Sequence, residues 1–174
     1  MGYTHYFSYD PDSEPFIEAF PRMQEDAERI LDYVEAAGVR ICRDPFDGTL
    51  PREYKVIAFN GSVEDELDRE PLVIMLRWPG PSYRNSDGRI LGFCKTGGFL
   101  PYDPAVAAVL LRCHRLLPGG FAINSDGLWD GEWLYGDRKP TTGLLSARII
   151  VRELFGDNDT SCPFDPNWAG RRES

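Results

Sequence analysis

Residues 92–111, GFCKTGGFLPYDPAVAAVLL, hold the densest set of groups that could do chemistry in this chain. Lys95 and Thr96 run into the Gly97-Gly98 pair, and Asp103-Pro104 opens a helical pattern. A lysine, a hydroxyl, glycine amides and the free N–H groups of a helix start are what a small anion such as a phosphate needs. The nucleotide-hydrolase loop G-x-x-x-x-G-K-[ST] is absent, because Lys-Thr precedes the glycines and residues 99–102 separate them from the helix. Asp103 also competes, since its carboxylate can cap that helix itself. Two readings stay open. One is an anion seat made by Lys95, Thr96, Gly97, Gly98, Tyr102 and Asp103; the other is a capped helix after a glycine turn.

His5 is the second candidate. An imidazole titrates near neutrality unaided, which suits general acid–base work. It lies in a period-2 stretch, 3–9, with Tyr3, Phe7 and Tyr9 on the same face, where a half-buried structural ring is the competing reading. Asp126, in the Ser-Asp-Gly that follows a strand pattern, is a turn residue or else a carboxylate partner for His5 or Lys95, or a magnesium ligand. Asn60-Gly61 is a turn signal first and a polar site residue second. His114, between Arg112 and Arg115 near a helix end, complements the helix dipole. No G-x-S-x-G appears and no serine pairs with a placed histidine and acid, so a nucleophilic triad is not expected. Cys94 beside Lys95 could have a lowered thiol pKa, but its place at an apolar strand end favours burial.

Composition narrows the classes. Four scattered cysteines without a C-x-x-C pair, and only two histidines, argue for free thiols and against a zinc site. The calcium-loop pattern is unmatched, so no residue is assigned to a metal site, and metal dependence and cofactor stay open. A formal net charge of −9 argues against duplex nucleic acid, whose phosphates need cations. The charge is uneven: residues 10–35 are rich in Asp and Glu, whereas Arg77, Arg84, Arg89 and Lys95 cluster against Asp87. No apolar run is long enough for a membrane span, and the first residues lack a signal-peptide pattern. A soluble, cytoplasmic protein is expected.

The elements that must position these groups follow from periodicity. A strand is expected at 3–9. A helix follows through Phe16, Phe20, Met23, Ala27, Ile30, Leu31 and Val34 to Gly38, kinked or restarted at Pro21. Strands are expected at 39–42, 54–60, 72–78 and 89–94, the last two joined by a turn-rich loop. A second helix opens with Asp103 as its cap and ends at Pro118-Gly119-Gly120, with Val106, Val109, Leu110, Cys113 and Leu117 buried. A strand at 121–124 comes next. Residues 141–157 favour a helix with Leu144, Ala147, Val151 and Leu154 inward and Gly156 past its end. Together these make a single α+β domain over residues 1–156, a largely antiparallel sheet with two or three packed helices. Residues 157–174 form an irregular tail laid down through Phe164 and Trp168.

The motifs GYTHYF (2–7), FNG (59–61), FCKT (93–96), PYD (101–103) and SDG (125–127) resemble those of a family of phage and bacterial proteins, actinobacterial ones included, to which no activity is assigned. Four residues separate Lys-Thr from Pro-Tyr-Asp here, one more than that family's pattern. The resemblance implies that His5, Asn60, Lys95, Thr96, Tyr102, Asp103 and Asp126 belong to one constellation.

Two function classes stand. The first is a protein binding an anionic, phosphorylated or nucleotide-like small molecule in a polar pocket, as a phosphoester hydrolase or transferase if it is an enzyme. His5 and Asp126 would then be its acid–base pair. The second is a non-enzymatic accessory protein that meets a protein partner through its acidic surface.

Overall fold

The computed structural model describes residues 3–50, 53–77, 84–97, 100–135 and 145–168. In chain order the elements are β1 (Thr4–Tyr9), α1 (Glu14–Ala36), β2 (Ile41–Cys42), β3 (Val56–Gly61), β4 (Leu72–Met75), β5 (Ile90–Lys95), α2 (Asp103–Leu116), β6 (Phe121–Ser125), α3 (Glu132–Tyr135) and α4 (Ala147–Phe155). The strands form two antiparallel sheets, β5-β1-β6 and β2-β3-β4, rather than one. The α+β class holds. The two sheets are tied by Tyr9, whose buried hydroxyl donates to Met75 O at 3.0 Å and accepts from Met75 N at 3.1 Å. One side chain thus satisfies both backbone groups of a strand end that would otherwise be buried unpaired.

Helix α1 begins at Ser13, whose hydroxyl accepts the Phe16 N–H, and runs unbroken through Pro21. The helix does not restart there, because packing on both sides of the proline holds it together. An interior proline costs about 3 kcal/mol, whereas each large apolar side chain buried along Phe16, Phe20, Met23, Ile30 and Leu31 contributes roughly 1.5–3 kcal/mol. The Pro21 ring itself faces solvent. Helix α2 lies between α1 and α4 and against β6, so it is buried well beyond the expected stripe, from Ala105 through Leu111. Its small residues Ala105, Ala107 and Ala108 allow that close approach. Helix α4 has Ser146 as its cap and ends at Gly156 in the left-handed conformation, φ 68°. Leu144, expected on its inner face, lies outside the described residues.

The first sheet positions the candidate groups. Along β1, His5, Phe7 and Tyr9 are buried inward, and Phe7 lies over Gly92 of β5, where a Cβ would sit 2.2 Å from the ring. The register sets His5 opposite both Cys94 of β5 and Ser125 of β6. Paired residues on neighbouring strands share a face, so these side chains turn inward together. Lys95 and Phe93 alternate to the other face and are exposed. The tail is anchored as far as described: Phe164 bridges to Ile123 and packs on Trp129 and Trp133, and Asp165 O accepts from Asn124. Among the described residues no helix is long and apolar enough to cross a membrane.

Candidate active site

His5 has no exposed surface, and both of its ring nitrogens are engaged. Nε2 lies 2.8 Å from Asp103 Oδ1, and Nδ1 lies 3.0 Å from the Ser125 hydroxyl. The same Asp103 oxygen accepts the Thr96 hydroxyl at 2.6 Å. As a carboxylate, Asp103 can only accept, so Nε2 carries a proton toward it. In the neutral imidazole Nδ1 is then an acceptor, and the Ser125 O–H donates to it. The tautomer follows from the partners. Ser125 Oγ also accepts the Gly127 N–H at 2.9 Å.

Aromatic rings close the imidazole in. Tyr3 meets it edge-on at 5.2 Å between centroids, and Trp133 at 5.5 Å. The Tyr3 hydroxyl stands beside Gly127, where an added Cβ would come within 2.1 Å of it. Burial pushes the Tyr3 hydroxyl well above its ordinary range, and the charges of Asp103 and Glu132 push it further, so it stays protonated and able to donate. Among the described residues the buried Trp133 indole N–H has no acceptor, a condition that costs about 1–3 kcal/mol unless some other group meets it.

Of the residues singled out in the sequence, His5, Thr96 and Asp103 converge. Asp103 was expected as the cap of α2, but its side chain makes no capping bond and turns to the imidazole and Thr96. It, rather than Asp126, is the carboxylate facing His5. Asp126 instead clips the strand ends: its Oδ2 accepts the Thr4 N–H at 2.9 Å and its own N–H donates to Thr4 O at 3.0 Å. Lys95 projects from the opposite face of the sheet from His5. Its backbone is pinned by Glu70, through a 2.9 Å bond to the carboxylate and a 3.3 Å bond from the Glu70 N–H.

Asn60 and Tyr102 build a separate structural joint. Asn60 bonds the Gly61 N–H and both backbone groups of Arg69, and the Tyr102 hydroxyl donates to Glu70 O. Gly97 adopts φ 74° against the Arg69 side chain, which is where a glycine is required. Gly98 lies outside the described residues. Cys94 donates to Glu70 O, and burial pushes its thiol well up, so it is no nucleophile.

Ser125 is the residue that sequence reasoning missed. The signal was present: extending the alternation of Phe121 and Ile123 by one step places Ser125 on their face, toward His5.

A cavity of about 710 Å³ opens elsewhere, between α1 and β3. Arg43 lines it but already pairs with Glu28, Asp32 and Glu35, which together raise its pKa, so it offers an anion little free charge. No group of three or more metal-ligating side chains occurs among the described residues. No known protein family, curated protein or solved structure matches this chain.

Proposed function

We propose that the protein acts on a small molecule by general acid–base chemistry, as a hydrolase or group transferase. His5 is the base and acid, and Asp103 orients it. The observation that carries this reading is one fully buried imidazole held between a carboxylate at 2.8 Å and a serine hydroxyl at 3.0 Å. Such an arrangement fixes the tautomer and aims one ring nitrogen at a proton to be moved. The phosphorylated or nucleotide-like ligand expected from residues 92–111 would meet no fixed cation beside His5 among the described residues, since Lys95 is on the other face. The carboxylates of Asp103 and Glu132 near Tyr3 favour an uncharged substrate.

The test is release of p-nitrophenol from p-nitrophenyl acetate, p-nitrophenyl phosphate and bis(p-nitrophenyl) phosphate by wild type and by His5→Gln, with folding checked by thermal denaturation. Turnover that falls about 100-fold in a folded His5→Gln protein is expected. Equal rates in both proteins, or no turnover above the variant on any substrate, would overturn the reading.

A second reading, a non-enzymatic partner protein, draws on the outer face of α1, where Glu14, Glu18, Glu25, Glu28 and Asp32 are exposed. It calls for salt-dependent binding of a poly-lysine probe that Glu14→Lys with Glu18→Lys weakens and His5→Gln leaves alone.

A further inference from the structure

We infer that Ser125 is the nucleophile of this site and that the substrate class is a neutral acyl ester, an inference that rests on the acid–base reading above. The hydrogen bonds run from Ser125 O–H to His5 Nδ1 and from His5 Nε2–H to Asp103, each within 3.0 Å. A serine hydroxyl is a weak nucleophile until a base takes its proton, and this is the arrangement that takes it. The strand register makes the pairing: Ser125 and His5 are directly opposite on β6 and β1 and both turn inward. Ser125 is buried, at 8% exposure, and the Asp103 side chain is 16% exposed, so the relay comes nearest the surface at its Asp103 end.

A second observation points to a ligand at the same place. The Trp133 N–H is buried, has no acceptor, and belongs to a ring packed on His5. The Tyr3 hydroxyl is already hydrogen-bonded to Ser125, which leaves the Trp133 N–H as the unpaired neutral donor beside the imidazole. Negative charge that develops on a carbonyl oxygen needs donors of this kind. Asp103, Asp126 and Glu132 around Tyr3 disfavour a substrate that is already anionic.

The chemistry balances. Ser125 Oγ forms a bond to the carbonyl carbon as its proton passes to Nδ1 and the carbonyl π pair moves to oxygen. Collapse of that intermediate breaks the carbon–alkoxide bond, and the leaving oxygen takes the proton back from Nδ1. Water then repeats both steps on the acyl-serine, with His5 as base, and releases the acid.

The probe is a neutral alkyl fluorophosphonate, which a nucleophilic serine displaces at phosphorus with loss of fluoride. It is added to the full chain, and the adduct is located by peptide mass mapping. A single adduct on Ser125 is expected, absent in Ser125→Ala and formed at least about 10-fold more slowly in Asp103→Asn and Trp133→Phe. No adduct on Ser125 in a protein that shows His5-dependent p-nitrophenol release overturns the nucleophile and leaves the acid–base reading standing. Equal labelling rates in wild type and Asp103→Asn overturn the relay. Absence of both adduct and His5-dependent turnover removes both readings.

Discussion

Two aspartates, one on α1 and one at the start of α2, are treated in opposite ways. Asp26 on α1 is fully buried and surrounded by arginines. Arg112 Nε lies 2.7 Å from Oδ2, while Arg22 and Arg29 stand 3.0 and 3.6 Å from Oδ1. The contacts to Oδ1 are ionic rather than hydrogen-bonded, since neither meets that geometry. Arg112 and Arg29 also lie over the Phe155 ring, which ties α1, α2 and α4 together. Asp103, by contrast, touches no lysine or arginine among the described residues; its partners are an imidazole and a hydroxyl. A charge needed only for structure is neutralised by fixed cations. A charge left with titratable or neutral partners keeps its effect for whatever changes protonation beside it.

The same substitution at both places tests that contrast. Asp26→Asn leaves the arginines without their counter-charge. Breaking a buried pair costs roughly 3–5 kcal/mol, and because Arg22 and Arg29 are about half exposed the low end, about 3 kcal/mol, is expected in urea unfolding. Turnover per folded molecule should not change. Asp103→Asn keeps an oxygen that can accept from both partners, so stability should move by no more than about 1 kcal/mol. His5-dependent turnover should fall about 100-fold, because an amide does not hold the imidazole as a carboxylate does. A large stability loss in Asp103→Asn with unchanged turnover would make the two carboxylates alike and end the comparison.

Trp133→Phe sharpens it further. Removing an unpaired buried donor offsets much of the cost of shrinking a fully buried ring, so stability should move by no more than about 1 kcal/mol, while fluorophosphonate labelling slows. A purely structural tryptophan would lose stability and leave labelling untouched.

The smallest effect concerns the other histidine. His114 Nδ1 contacts the Phe121 carbonyl at 2.8 Å, and burial, the largest influence, holds its pKa below the usual 6.5. The unfolded chain therefore binds this proton more readily than the folded one. Stability is full above about pH 6.5 and declines as pH falls toward the depressed folded value, below which the slope flattens. The thermal midpoint is expected to drop between pH 7.5 and 5.5, and to drop less in His114→Gln. An identical profile in both would remove His114 as the cause.

Much of the fold was readable because local patterns coincide with tertiary needs. The apolar spacing from Phe16 to Val34 specified α1, and Ser13 marked its start. Pro104 near one end and Pro118 after the other bracketed α2, and Gly156 marked the end of α4. What periodicity could not tell was how many sheets the strands make. The link through Tyr9 to Met75 joins residues far apart in the chain, and no local pattern encodes it.

The site divides in the same way. Sequence alone determined which side chains are capable of chemistry, His5, Thr96 and Asp103 among them, and that each sits at a strand or a helix start. Adjacency in the chain suggested a shared task for Lys95 and Thr96, whereas the structure buries Thr96 and exposes Lys95. Only the tertiary structure decided that Asp103 faces His5 while Asp126 clips Thr4, and that Ser125 completes the line. The reason is that strand pairing and helix docking bring β1, β5, β6 and the start of α2 together across about a hundred residues. A chain pattern records which face a side chain occupies, but the partner it meets there depends on how separate elements pack.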